Sequence, residues 1–416
     1  MKKQFSHGFL KNKPAADLKA IPKSIWVLGF VSMLTDISSD MVHSLLPMYL
    51  VSTMGASVLT VGLIEGVAES TALMLKVFSG GLSDFLGRRK ILAVVGYGLS
   101  AITKPIFPTA TSIQMILGAR FIDRIGKGIR DAPRDALIVD ITPVELRGSA
   151  FGLRQALDSV GAFLGPSIAV ILMLVWANDF KKVFWVATLP ALLAVTLMLL
   201  FVTETHKDRS DTPFNLFNIN VLKQLGPNYW SIISIGIMLG LARYSDAFLV
   251  LRAYQSGIPM SLVPLIMVVM NVVYASVSYP IGKLSDQVEH GQLIMWGVFT
   301  LLLANIVLAC GKDAEYVLLG VSLWGLHMGI SQGLLASMIA NVAPNHLRGT
   351  AYGVFNFCLG ISMLASNAIA GLLWDHLGAE YTFYVGALIC TFCWVLLILE
   401  IIKVPLPLIS PNNRHD

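Results

Sequence analysis

Long apolar stretches separated by short polar ones organise this chain. A membrane-crossing helix needs about 20 largely apolar residues. Windows of that size recur near 25–50, 57–80, 90–108, 112–141, 148–176 and 183–202, then near 228–254, 261–281, 292–310, 316–341, 349–374 and 381–403. The pattern predicts an all-α membrane protein with about twelve transmembrane helices. The segments outside these windows divide it into an arm (1–24), a six-helix half (25–202), a middle loop (203–227), a second six-helix half (228–403) and a tail (404–416). The window at 112–141 stands apart because it is crowded with charge.

The two halves repeat. Gly80-Gly-Leu-Ser-Asp84 matches Gly282-Lys-Leu-Ser-Asp286 at an offset of 202 residues (282 minus 80). Pro143-Val-Glu-Leu-Arg-Gly-Ser-Ala-Phe-Gly152 matches Pro344-Asn-His-Leu-Arg-Gly-Thr-Ala-Tyr-Gly353 at 201 (344 minus 143). Two motifs that share nearly one offset imply pseudo-symmetric halves of parallel topology. Such repeats place a substrate site near the midplane, between the halves.

Composition agrees with the spans and removes other classes. Only 13% of the 416 residues are charged and 55% are hydrophobic, against about 25% charged in soluble domains. The net charge of +5 comes from basic loops, and no basic block suggests a nucleic-acid partner. Lys and Arg gather in the arm, in the loop at Arg88, Arg89 and Lys90, and in the middle loop. The loop carrying Lys181 and Lys182 is an exception. By the positive-inside rule both termini are expected in the cytoplasm, with the chain in the inner (plasma) membrane. The first apolar run is longer than a signal-peptide core, and no cleavable leader is expected. Cys390 and Cys393 have metal-site spacing without companion ligands, so Cys310, Cys358, Cys390 and Cys393 are read as packing thiols, and no metal or cofactor is expected.

These motifs resemble those of the major facilitator superfamily (MFS). Gly80-Gly-Leu-Ser-Asp84-Phe-Leu-Gly87-Arg88-Arg89-Lys90 is similar to that family's signature between helices two and three, with Phe85 where a basic residue is usual. Arg120 resembles the arginine of its fourth-helix motif. Gly161-Ala-Phe-Leu-Gly165-Pro166 resembles the core of its fifth-helix antiporter motif, although Ser167, Ile168 and Ala169 replace the glycines that usually follow. The resemblance implies the MFS fold and an inner gate. In that gate Asp84 caps the N-terminus of helix eleven near Gly349. Asp286, by symmetry, caps helix five near Gly148, and Arg88 or Arg89 pairs with Asp140. A carboxylate at a helix N-terminus satisfies orphan N–H groups and meets the positive end of the dipole. Gly161 and Gly165 serve either as a small-residue packing face or as a cavity seal.

Ionisable residues inside a span are costly and mark function by default. Helical spacing gathers them into stripes. These are Asp36, Asp40 and His43 in span one, Glu65, Glu69 and Lys76 in span two, Arg154 and Asp158 in span five, and Arg243 and Asp246 in span seven. In span four, Arg120, Asp123, Arg124, Lys127, Arg130, Asp131, Arg134 and Asp135 fall within an arc of roughly 140°, with Ile122, Ile125, Ile129 and Ala132 opposite. Such a ladder must face water or pair with the acidic stripes of spans one and two. Arg252 is expected to snorkel at the outer end of span seven, and Gly128 to face the cavity. Spans eight to twelve offer Asn271, His327, Gln332, Asn356 and Asn367, which predicts a cavity wall that is neutral-polar and aromatic on that side.

The expected function is secondary active transport of a small polar or anionic organic solute by alternating access, coupled to protons. Asp36, Asp40, Glu65 and Glu69 are the first candidate proton carriers, with Asp123 and Asp246 behind them. No Gly-x-x-x-x-Gly-Lys-Ser/Thr loop supports ATP hydrolysis, and scattered histidines argue against an embedded enzyme. Alternatives left open are proton-driven efflux of drug-like compounds, transport of a carboxylate siderophore and passive uniport. The expected partners are the solute, protons and the lipid bilayer, and a monomer suffices.

Overall fold

The computed structural model describes residues 21–203, 222–285, 287–344 and 347–403, except for the side chains of Asp84 and of residues 400–403. Among them every regular element is helical. The helices are α1 (Lys23–His43), α2 (Val58–Leu86), α3 (Arg89–Thr103), α4 (Ile113–Ile141), α5 (Arg147–Val175) and α6 (Phe180–Phe201), then α7a (Gly226–Ala242), α7b (Asp246–Gln255), α8 (Leu265–Leu284), α9 (His290–Cys310), α10 (Ala314–Val342), α11 (Arg348–His376) and α12 (Ala379–Lys403). Short turns at Leu46–Met48 and Tyr49–Thr53 extend α1, and Ile106–Thr109 extends α3. Eleven of the twelve spans are long and apolar enough to cross a membrane. The fourth has the length, at 29 residues, but carries the charge ladder.

Local chemistry sets the helix ends. Ser57 and Ser112 accept from the third N–H of α2 and α4, those of Thr60 and Met115, the usual role of a serine before a helix. Gly87 closes α2 at φ 62°, a left-handed conformation that glycine adopts without strain. Pro133 and Pro166 lie inside α4 and α5, tolerated in membrane helices because neighbours satisfy the freed carbonyls. The expected arm, middle loop and tail fall mainly outside the described residues.

Each half packs by itself. In the first, α1 lies on α5 and α6, and α4 lies on α2 and α3. In the second, α9 lies on α10 and α12, α8 on α10, and α7a on α11. Between the halves α2 packs along α11 and α5 along α8.

Candidate functional site

Two spans depart from regular helix at matching places, one in each half. The first span tightens at Ser44 and Leu45, where the backbone stays right-handed and still donates to the Asp40 and Val42 carbonyls, while the seventh span is fully open from Arg243 to Ser245. Ser44 and Ser245 are 201 residues apart (245 minus 44), the offset of the sequence repeat. An interrupted helix at a position that the other repeat also marks points to a transporter's binding site. The break in the seventh span is built by neighbours. The side-chain oxygen of Asn367 accepts from the Ser245 N–H at 2.8 Å, and the Tyr244 hydroxyl donates to the Thr382 carbonyl at 2.6 Å.

Behind these positions, the first half holds a frame of buried ions. Glu65 accepts from Arg120 through both oxygens (3.1 and 2.9 Å), and both side chains are 1% exposed. The same guanidinium donates to His43 Nδ1 at 2.6 Å. Lys104, at the end of α3, reaches Asp123 at 3.1 Å and Ser39 at 3.3 Å. Arg124 pairs with Glu69 at 2.9 Å. Arg130 donates to Ser100 at 2.6 Å and lies over the Tyr97 ring at 4.8 Å. Arg134 bonds Ser32 and Asp135, and Arg154 joins Asp135 to Asp158 at 3.0 and 2.9 Å. Removing one partner of a buried pair strands the other charge, so these contacts tie α1, α2, α3, α4 and α5 into one body. The span-four ladder therefore does both things expected of it. It pairs with the acidic stripe of span two at Glu65 and Glu69 but not with Asp36 and Asp40 of span one, and through Asp123, Arg124, Lys127 and Arg130 it also lines a cavity.

That cavity occupies about 230 Å³ between the halves. Asp36, Ser39, Asp40, His43, Glu69, Asp123, Arg124, Lys127 and Arg130 line it from the first half. Arg243, Tyr244, Ser245, Asp246, Asn271 and the methionines 267, 270, 328 and 363 line it from the second. Glu65, Arg120, Arg134, Arg154 and Asp158, expected on its wall, stand behind it in the ion frame. Among the described residues no cationic group comes within 4 Å of the carboxylates of Asp36, Asp40 or Asp246, and no carboxylate within 4 Å of Lys127 or Arg243. Arg243 is instead held by the Gln332 amide oxygen at 2.9 and 3.1 Å, once that amide is turned to present its oxygen.

Several expectations need correction. The second-half wall is methionine-rich rather than aromatic, with Tyr244 its single aromatic ring among the described residues. Gly128 faces α2, where a Cβ would lie 2.6 Å from Leu75 and 3.0 Å from the Ala72 carbonyl. Arg252 does not snorkel. It is 8% exposed and donates to the carbonyls of Leu308 and Gly311, at 3.0 and 2.8 Å, closing the end of α9. His327 is a packed histidine against the Gly297 carbonyl at 2.8 Å. Gly161 and Gly165 form a packing face. Cβ atoms there would meet the Met33 carbonyl at 2.7 Å and the Ile37 carbonyl at 2.9 Å, so α5 lies directly on the Asp36–Asp40 stripe. Pro166, beside them, is buried.

Of the expected gate, Arg89 pairs with Asp140 and also donates to the Ala136 carbonyl at 2.8 Å, while Arg88 is exposed. A Cβ on Gly80 would lie 3.6 Å from Ala132, and Gly282 has open space. The Asp84 side chain and Asp286 lie outside the described residues. The opposite end of the molecule carries a latch that sequence reasoning missed. The Asp375 carboxylate, near the end of α11, accepts from the N–H groups of Val58 and Leu59 at 3.0 and 2.8 Å, capping α2 across the seam. Below it Gly371 lies against Leu59, Gly62 against the Asn367 carbonyl, and Gly360 against Ser70 and Met74. At this end, too, the Leu46–Met48 turn packs on α7b.

Sequence reasoning also missed Lys104 and the four methionines. Spacing along single helices carried no signal for them, because each gains its meaning from a partner on another helix.

Twelve spans, paired halves and a central charged cavity define a polytopic membrane transporter. The chain belongs to the Major Facilitator Superfamily, whose family model matches residues 28–367. It is 28% identical to the MFS-type transporter MJ1317 of Methanocaldococcus jannaschii, over 91% of this chain and 95% of that one. It is 22% identical to the multidrug resistance protein MdtH of Photorhabdus laumondii, over 84% and 86%. A crystal structure of a POT family transporter in complex with 5-aminolevulinic acid superposes with a TM-score of 0.78 at 13% identity, covering 92% of this chain and 97% of that one. At that identity the likeness is one of fold.

Proposed function

We propose that the protein is a proton-coupled secondary transporter that moves a small polar or anionic organic solute by alternating access, without converting it chemically. The observation that carries this reading is the cavity between the halves, into which Asp36 and Asp40 project without a cationic partner. Glu65, Glu69 and Asp123 are each held by a cation, which makes them parts of the frame. Proton carriage then falls to Asp36 and Asp40, with Asp246 behind them, whose surroundings change when the halves rock. Residues 25–202 and 228–403 are the two moving bodies, both termini face the cytoplasm, and the Asp375 latch lies on the external side. The state described has that external side closed. The packing of Leu46–Met48 on α7b supports this assignment.

Export of drug-like compounds is a second reading. It is favoured by the methionine wall, since flexible thioethers accommodate varied shapes, and by the likeness to MdtH. Proteoliposomes with an imposed pH gradient test the coupling. Solute flux is expected to follow the gradient and to lose that dependence in Asp36→Asn and Asp40→Asn, while counterflow without a gradient persists. Flux indifferent to both the gradient and these substitutions refutes the coupling. Opposite directions of gradient-driven flux separate uptake from export.

A further inference from the structure

The paired ions explain themselves, so the cargo is read from the charges left over. On the cavity wall these are the carboxylates Asp36, Asp40 and Asp246 and the cations Lys127 and Arg243. Both halves contribute both signs. The first supplies Lys127 opposite the Asp36–Asp40 stripe, and the second supplies Arg243 and Asp246 at the break in the seventh span. A cationic solute would leave Lys127 and Arg243 unanswered, and burying a charge without a partner is costly. An anionic solute would leave three carboxylates facing it.

The apolar part of the wall is soft. Met267 and Met270 come from α8, Met328 from α10 and Met363 from α11. Unbranched thioethers fill irregular gaps and adapt to the shape of a flexible apolar group. The volume of about 230 Å³ lies below the roughly 300–1,000 Å³ of drug-sized sites.

We infer that the cargo is a small zwitterion with an apolar body, of amino-acid-like chemistry. Its carboxylate is received by Lys127 and Arg243, its ammonium by the free aspartates, and its side chain by the four methionines. This rests on the transporter reading above and narrows its solute. The five free groups sum to one negative charge (two cations against three carboxylates). A net-neutral solute together with one proton on the Asp36–Asp40 stripe therefore leaves the closed cavity neutral.

The test uses the purified full-length protein and three scaffolds: leucine, phenylalanine and leucyl-leucine. Each is supplied as the free zwitterion, the N-acetylated acid and the C-terminal amide. Binding is read by calorimetric titration and by the rise in unfolding temperature. At least one free zwitterion is expected to bind, with both of its blocked forms at least tenfold weaker. In Lys127→Gln the gap between zwitterion and amide is expected to close to within about twofold, and in Asp40→Asn the gap between zwitterion and N-acetyl acid likewise. The wild-type comparison stands even where a variant fails to fold. A blocked cation or anion that binds as tightly as its parent overturns the inference, as does binding by none of the three zwitterions. Alternating access is tested apart from this, by whether thiol reagents reach engineered cysteines on the two sides in alternation. A negative titration beside intact alternation therefore refutes the cargo class alone.

Discussion

Replacing Asp375 by alanine removes the only side-chain carboxylate on the first turn of α2 among the described residues. Four N–H groups begin any helix without an internal partner. In α2, Asp375 takes those of Val58 and Leu59, and Ser57 takes that of Thr60 at 3.1 Å. The carboxylate arrives from the other half, so its two bonds exist only while the halves are shut at this end. Its position is exposed, and water satisfies the freed donors when it leaves. The loss is therefore that of a cap, about 1 kcal/mol, plus about 0.4 kcal/mol for a charge at the dipole's positive end. A change of about 1.4 kcal/mol moves a two-state ratio about tenfold. Spin labels at Thr53→Cys and Gln255→Cys, in a background without the native cysteines, report the separation of the two halves at this end by pulsed electron resonance. Asp375→Ala is expected to raise the open-to-closed ratio about tenfold. Asp375→Asn, which keeps an acceptor and loses the charge, is expected to raise it by about twofold. A distance distribution unchanged in Asp375→Ala would show that apolar packing alone holds the seam, and the latch would have to be abandoned.

Three further outcomes follow from the frame and the helix contacts. Lys104→Ala strands Asp123 with only Arg120 at 3.7 Å and is expected to cost about 3 kcal/mol of stability, seen as a lower unfolding temperature in detergent; Lys104→Arg should recover part of it. Gly165→Val forces branched carbon against the Ile37 carbonyl, which would stand only 2.9 Å from even a bare Cβ, and is expected to cost about 1–3 kcal/mol and to reduce flux more than binding. Asn367→Ala leaves the buried Ser245 N–H without its acceptor, at about 1–3 kcal/mol, and should lower solute affinity because the Arg243–Ser245 segment loses its hold; unchanged affinity would disconnect that break from the site.

The spans were legible because a bilayer imposes a length, and the run of apolar residues records it directly. The ladder of α4 was legible for a similar reason: eight ionisable residues within one arc leave no other way to cross hydrocarbon. What could not be read was which of them remain free. Glu69 and Asp40 look alike in sequence, yet Arg124 reaches the first and no cation comes within 4 Å of the second. That difference is set by how α2 and α1 stand around α4. The interruption of span seven was hidden too. Ser245 is an ordinary helix-starting residue, but its hydrogen-bond partner lies 122 positions away. Asp375 sits just beyond an apolar window, where a lone acid reads as a solvated end until α2 is brought beside it.

The division of labour in the cavity wall has a bearing on how such a carrier diversifies. The ions that stiffen one half are on a different surface from the methionines of the other, and those thioethers hold nothing together by hydrogen bonds or charge. Exchanging Met270 or Met328 for another apolar residue reshapes the cavity while leaving the ion frame alone. A lineage built this way can change what it carries one substitution at a time, without first rebuilding the means of carrying it.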